Sequence, residues 1–484
     1  MITFILSLIL LIGGYFIYGR VVEKIFRIDE NRKTPSITQN DGLDYVELPA
    51  WKAFLIQFLN IAGTGPIFGA IAGAMWGPNA FLWIVFGCIF GGAVHDFLFG
   101  MMSLRSDGAS VSILVGDNLG KFMKQLMLVF SGILLLLVGV VFISSPADLL
   151  ADLTGFNRWI FISIILVYYI VATVLPIDKV IGKIYPIFGA ALFIMATGII
   201  GGMIFTGMIT DIPEFTFSNP HVAGKSIFPY LFISVACGAI SGFHATQSPM
   251  MARCIKNETE GRKVFYGAMI AEGVIALIWA AAAMTFFGSL DGLSQAGPTA
   301  VVVNKISQGL MGNVGMVLAI LGVVACPITS GDTAFRSLRL SLADAFKLDQ
   351  SKNLNRYLIV IPIFTVAISL LFIDFNILWR YFSWSNQTLA CIALWTAAAF
   401  LKKQSSNFYV ALIPAMFMTV VVTCYIVIAP EGFGILMSNI FNNVQVVEFI
   451  GIFTGLVLAI LGYFLFTKKI SSPNAASHTK SISQ

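Results

Sequence analysis

From residue 125 to residue 147 the chain runs without one charged side chain, and Leu, Val, Ile and Phe dominate the stretch. About 20 such residues cross the hydrocarbon of a bilayer as a helix. Inside hydrocarbon every backbone N–H and C=O must find a partner, so only helices or closed barrels can span. Barrel strands alternate apolar and polar residues, and this stretch does not. Thirteen comparable runs fall at 2–19, 51–75, 79–102, 124–144, 158–175, 183–207, 227–252, 262–287, 313–340, 356–373, 376–400, 407–428 and 445–467. Only 11% of the residues are charged, against roughly a quarter in a soluble domain. That shortage excludes a soluble enzyme, and 58% hydrophobic residues exclude disorder. The first run does not read as a signal peptide, because Met1-Ile2-Thr3 carries no positive side chain and no A-x-A site follows.

The segments between the runs sort by charge. Alternate segments, beginning after the first run, hold 25 of the 29 Lys and Arg. The opposite set holds only Arg158, Lys225, Lys305 and Arg380. Omitting one span would scramble this split, so it supports thirteen. By the positive-inside rule the N-terminus lies outside and the C-terminus is cytoplasmic. The expected location is a bacterial inner membrane, with the lipid bilayer as surroundings and no nucleic-acid partner. The six Cys form no CxxC pair and read as small buried hydrophobes, with neither a disulfide framework nor a cysteine metal site.

Two of the spans are interrupted. Span 2 contains Asn60-Ile61-Ala62-Gly63-Thr64-Gly65-Pro66, and span 7 contains Cys237 to Pro249, a Gly-rich polar stretch ending in Pro. Gly and Pro make poor continuous helix, and Pro favours the first helical position. Pro66 and Pro249 are therefore expected to start second half-helices. Unwound backbone at membrane depth persists only where it is buried in protein or lines a cavity. The interruptions lie five spans apart, an odd number, so spans 2–6 and 7–11 have opposite topology. The expected fold is an all-α polytopic membrane protein of about thirteen transmembrane helices, with the 5+5 inverted repeat and two broken helices of the leucine transporter (LeuT). The parts are a leading helix and loop (1–50), a first repeat (51–225), a second repeat (226–403), two trailing helices (404–470) and a disordered tail (471–484).

Several longer motifs carry a family resemblance. Asn60 to Gly69, Trp76-Gly77-Pro78, Gly92-Ala93-Val94-His95-Asp96-Phe97 and Ser103 to Ser110 resemble the carbon starvation protein A (CstA) family. So do Gly242 to Pro249, Thr329 to Arg336 and Ser385-Asn386-Gln387. The chain looks like a short form of that family. The resemblance implies a transporter of the amino acid–polyamine–organocation superfamily, not an enzyme, taking up peptides or pyruvate under nutrient limitation.

Broken helices present free N–H groups and positive dipole ends to anions, and free carbonyls to cations. Gly63, Thr64 and Gly65 in span 2, with Ser241, Gly242 and Phe243 in span 7, are the expected substrate-lining residues. His244 either donates to a substrate carboxylate or couples protons, or it pins the unwound loop to a carbonyl. Gln247, one turn on, has the same alternatives. Asp96 and Glu272 are intramembrane carboxylates suited to ion coupling. Asp96 is otherwise paired with Arg105 or Arg336, in a gating or structural set that includes His95 and Asp332. Neighbouring helical residues point about 100° apart, so His95 and Asp96 are not expected to share a partner easily. Thr329 and Ser330 offer hydroxyls that, with backbone carbonyls near Leu59 and Ala62, would suit a bound sodium ion. The resemblance to sodium-coupled members of this architecture implies the same pair. Lys179 or Lys183 is a lesser substitute for sodium. Beyond that ion no cofactor is expected. Ser383, Ser385, Asn386 and Gln387 around Trp384 suggest a cavity or gate.

The function expected is secondary active import of small carboxylates or peptides, pyruvate or short peptides, by alternating access coupled to protons or sodium. Two alternatives stand beside it. One is divalent-metal transport through His95, Asp96, His244, Met250 and Cys254. The other is a membrane-embedded nutrient sensor.

Overall fold

A computed structural model describes residues 1–42, 44–174, 177–350 and 353–470. The side chains of Lys179 and Lys183 and the tail 471–484 lie outside the described residues. The described chain is helical throughout. Seven single helices are long and apolar enough to cross a membrane, and two bent pairs raise the number to nine. One pair is Ala50–Ile61 with Thr64–Trp76, bent by 50°. The other is Thr299–Leu318 with Leu321–Phe346, bent by 56°. The remaining four expected spans are helical too. Arg158–Val174, Asn353–Leu370 and Phe375–Lys403 are single helices, and span 7 forms two short ones, Tyr230–Ser234 and Gly242–Ala252.

Contacts between loops follow the charge sorting. On the basic side, Arg105 reaches Glu258 and the Arg27 carbonyl, Leu48 N–H donates to Cys254, and Lys403 reaches Asp117. On the other side, Trp76 donates to the carbonyls of Lys225 and Ser226, Asn79 to Ser218, and Ser226 to Glu448. Asp152 accepts from Asn304 there. Each of these contacts joins segments of one charge set.

The breaks have local causes. In span 2 the Ala62 N–H closes the first half-helix on Phe58 at 2.7 Å. Gly63 then takes a non-helical ψ of −148°, and the second half starts at Thr64. In span 7 the residues from Val235 to Ser241 are non-helical, and Gly238 sits at φ +92°, which a Cβ would strain. The second half starts at Gly242. The prolines therefore do not open the half-helices as expected. Pro66 is third in its helix and Pro249 lies inside its own. The glycine conformations turn the chain earlier, and Pro66 only occupies the first turn, where its missing N–H costs nothing.

The two interruptions press together. A Cβ at position 65 would fall 2.4 Å from Cys237 Sγ, and one at position 69 would fall 3.0 Å from the Ser234 carbonyl oxygen. These glycines let the second half of span 2 lie directly on the unwound part of span 7. Spans 3, 8, 9 and 11 pack around the pair.

Candidate functional site

Span 3 carries His95 and Asp96 on the helix Ala93–Arg105, which follows a π-helical turn at Gly87–Gly92. Both side chains are fully buried. Asp96 Oδ1 accepts from His95 Nδ1 at 2.7 Å, and Asp96 Oδ2 accepts from His244 Nδ1 at 2.9 Å. With Asp96 ionised, both contacts are donated by Nδ1–H groups. That orientation turns His244 Nε2 toward Glu272, whose Oε2 lies 3.5 Å away. Glu272 is also fully buried, on the helix Gly267–Phe286. The contact between His244 and Glu272 is a loose ion pair without ordinary hydrogen-bond geometry, and the Gly238 backbone also lies against Glu272.

Cys237 completes the group. Its Sγ, a ring nitrogen of His244 and a Glu272 oxygen all lie within 4.8 Å of one another. Asn386 of span 11 braces this corner. Its Oδ1 accepts from the Phe243 N–H at 2.7 Å, and its Nδ2 donates to Ser241 Oγ at 3.0 Å and to Cys237 Sγ at 3.5 Å. Phe243 N–H belongs to the first turn of the second half-helix, so a side chain from another span caps that helix.

The span 2 break differs. No side chain caps the half-helix that begins at Thr64. Thr64 Oγ1 is buried without a partner, as are both amide ends of Gln57 and Asn60. Gly63 faces the Phe142 ring and Ser330 Oγ, at 2.9 and 3.1 Å from its would-be Cβ. Phe142 meets Phe243 edge-on with ring centroids 6.1 Å apart. Gly65 and Gly242 are close-approach positions. A Cβ at 242 would fall 2.4 Å from the Asn386 carbonyl oxygen. Gln247 donates to Thr246 Oγ1 at 3.0 Å and leaves its own oxygen unpartnered.

Spans 9 and 2 meet at the residues considered for a sodium ion. Ser330 Oγ donates to the Leu59 carbonyl at 3.0 Å. Thr329 Oγ1 donates to Cys326 of its own helix at 2.7 Å. Ala62 ends the first half-helix beside them.

Asp96 does not pair with Arg105 or Arg336. Arg105 sits nine residues along the same helix, roughly 13 Å at 1.5 Å per residue, and binds Glu258 through two 2.8 Å contacts. Glu258 is fully buried and also takes Arg32 at 3.2 Å. Arg336 lies 3.6 Å from Asp332 one turn earlier, and donates to the Ala172 carbonyl at 2.6 Å. That set fastens span 9 to span 5. His95 and Asp96 do bond to each other, despite their angular separation.

On the basic side, a cavity of about 650 Å³ opens between Tyr45, Asp107, Gly108, Arg253 and Lys347. Arg253 also lines a slot of about 20 Å³ below Thr246, Pro249 and Met250 of span 7. Its Nε donates to the Gly108 carbonyl at 3.0 Å, and its guanidinium lies 5.1 Å over the Tyr45 ring. Burial holds the Tyr45 phenol above its usual value, with the Arg253 charge pulling the other way. Of the residues first considered for metal binding, only His244 belongs to the close group. Cys237 entered the sequence reading only as a small hydrophobe, and Asn386 only as part of a polar trio.

A family model described as carbon starvation protein CstA matches residues 1–163, 132–290 and 288–425. An uncharacterized membrane protein of Haemophilus influenzae is 43% identical over 348 residues, covering 61% of this chain and 94% of that protein. The peptide transporter CstA of Campylobacter jejuni is 31% identical over 335 residues, covering 55% of this chain and 47% of the relative. The pyruvate/proton symporter BtsT of Escherichia coli is 27% identical over 324 residues, with 53% and 45% covered. The chain thus matches about half the length of each of these two transporters. A solved structure described as the inward-facing conformation of Mhp1, a LeuT-fold transporter, aligns at a TM-score of 0.52 and 14% identity. It covers 89% of this chain and 94% of that one, which shows the fold.

Proposed function

We propose, from the premise that this chain belongs to the carbon starvation protein CstA family, that it imports small carboxylates or short peptides by alternating access. Its relatives include peptide transporters and a pyruvate/proton symporter. The observation that carries the reading is the meeting of two helix breaks amid buried polar groups that lack partners. Burying such groups without partners costs roughly 1–3 kcal/mol each, so they are suited to a polar solute that enters and leaves.

The roles divide between the breaks. The half-helix starting at Thr64 keeps its first-turn N–H groups free of a side-chain cap, and its dipole favours a carboxylate there. Gly63, Thr64 and Gly65 are the proposed carboxylate end. Ser241, Gly242, Phe243, His244 and Gln247 form the facing wall, held by Asn386 and Asp96. The excess of Lys and Arg on one side supports a cytoplasmic C-terminus, an external N-terminus and an inner-membrane location.

A cation gradient drives the cycle. The contact between Ser330 and the Leu59 carbonyl supports a sodium ion between spans 9 and 2, since hard cations take oxygen ligands. The name of the Escherichia coli relative supports a proton instead. One experiment tests the whole reading. The protein is reconstituted in liposomes, and uptake of labelled pyruvate and of a labelled dipeptide is measured under separate sodium and proton gradients. The expected result is uptake of one substrate, accelerated by one inward gradient and abolished when that gradient is collapsed. Uptake of neither, with divalent-metal uptake instead, overturns it.

A further inference from the structure

We infer that Cys237, His244 and Glu272 form a binding site for a borderline divalent transition metal of the zinc type, placed across the span 7 break. The inference stands on local geometry and does not depend on the transport reading.

The donor set is chemically apt. Thiolate, imidazole nitrogen and carboxylate oxygen are the three ligand types zinc takes from proteins. Zinc–nitrogen and zinc–oxygen bonds of about 2.0–2.1 Å at a tetrahedral angle separate the two ligand atoms by about 3.3 Å. His244 Nε2 and Glu272 Oε2 stand 3.5 Å apart. The sulfur lies within 4.8 Å of a His244 ring nitrogen and a Glu272 oxygen, so a shift of about 1 Å closes the third edge. Three protein ligands leave the fourth position open.

The buried contact between these groups points the same way. His244 Nε2 and Glu272 Oε2 are fully buried and face one another at 3.5 Å, a loose ion-pair contact without ordinary hydrogen-bond geometry. A divalent cation between them would replace that contact with two short bonds. Its two positive charges would offset one thiolate and one carboxylate among its ligands, leaving the Asp96 carboxylate to the two imidazoles bonded to it. Outer contacts are also in place. Metal-bound imidazole usually donates its other N–H to a carboxylate, and His244 Nδ1 does so to Asp96 at 2.9 Å. Asp96 is itself held by His95. On the sulfur side, Asn386 Nδ2 lies 3.5 Å from Cys237 Sγ as a donor to a thiolate. Cys237 lies within the unwound segment and His244 in the first turn of the half-helix after it, so an ion held by both would tie the two together.

The test uses the full-length protein in detergent, stripped of metal and titrated with Co²⁺ as a spectroscopic probe. The expected result is saturation at one equivalent, with tetrahedral ligand-field bands and a thiolate-to-cobalt charge-transfer band. Zn²⁺ should then displace the cobalt. Cys237→Ser should abolish the charge-transfer band, while Cys88→Ser, at another buried cysteine, should keep it. Asp96→Asn should retain the band and weaken Co²⁺ by ~10–100-fold, the usual effect of removing a carboxylate behind a metal-bound His. Wild-type protein with no saturable thiolate band overturns the inference, and this holds even if the variants fail to fold. So does a band that survives Cys237→Ser in monodisperse protein.

Discussion

Replacing Asn386 by Ala tests whether the second half of span 7 is held from span 11. The amide makes four contacts with three residues there, Ser241 Oγ also donating to Oδ1 at 3.1 Å, and the Phe243 N–H to Oδ1 bond is the shortest at 2.7 Å. Phe243 and Ser241 are buried, so their freed donors would find no water. One unsatisfied buried donor costs about 1–3 kcal/mol, and loss of a helix cap costs ~0.5–2 kcal/mol. The two describe the same bond seen from different sides and are not summed. A value of about 2 kcal/mol corresponds to roughly a 30-fold change in a local opening equilibrium. Amide hydrogen exchange of the peptide covering 241–247 reads that equilibrium directly. Asn386→Ala is expected to accelerate it by about that factor, with spans remote from the site unchanged. Asn386→Asp keeps an acceptor for Phe243 and should stay near wild type at that amide. Exchange unchanged in Asn386→Ala would refute the cap, and equal acceleration in both variants would refute the assignment to Oδ1.

Other expectations follow from the same geometry. Gly65→Ala places a carbon 2.4 Å from Cys237 Sγ, an overpacking expected to cost about 1–3 kcal/mol and to lower the melting temperature in detergent while reducing uptake. Ser330→Ala removes the hydroxyl from the Leu59 carbonyl. If sodium couples, the half-saturating sodium concentration for uptake rises several-fold with substrate affinity at saturating sodium little changed, and an unaltered sodium dependence excludes that site. Glu258→Ala leaves Arg105 and Arg32 without their buried carboxylate, an expected loss of roughly 3–5 kcal/mol, read as a drop in melting temperature that Lys substitutions on exposed loops would not produce.

The lines of the fold were legible because bilayer thickness and loop charge are global constraints. Among the described residues each of the thirteen runs contains helix, and loop contacts respect the two sets. The presence of both breaks was legible from Gly63, Gly65 and Gly238 with their prolines. Their registers were not, because a proline marks tolerance rather than a start. The turn is made by the backbone at Gly63 and Gly238. Span 9 also misled, since its apolar window at 313–340 hides a bent pair running from Thr299 to Phe346. At the site, residue types were readable but partners were not. Asp96 meets His244, 148 positions away, and no local pattern encodes that pairing. An arginine looked the better partner by charge, yet helix rise alone carries Arg105 away. Cys237 was passed over because a lone buried cysteine usually only packs. Its importance comes from the polar atoms that Gly65 and Gly238 allow to gather around it.

The bare glycine face of span 2 sets how motion can travel through the molecule. Cβ positions at 65, 69 and 73 would strike Cys237, the Ser234 carbonyl and Val235 in turn. The two surfaces therefore mesh like cogs along one line, with no clearance for a methyl group. Cogs in that state transmit displacement without backlash. A tilt of the second half of span 2 toward span 7 therefore has no room unless the unwound part of span 7 moves with it, so an ion or solute gripping either break is expected to act on both.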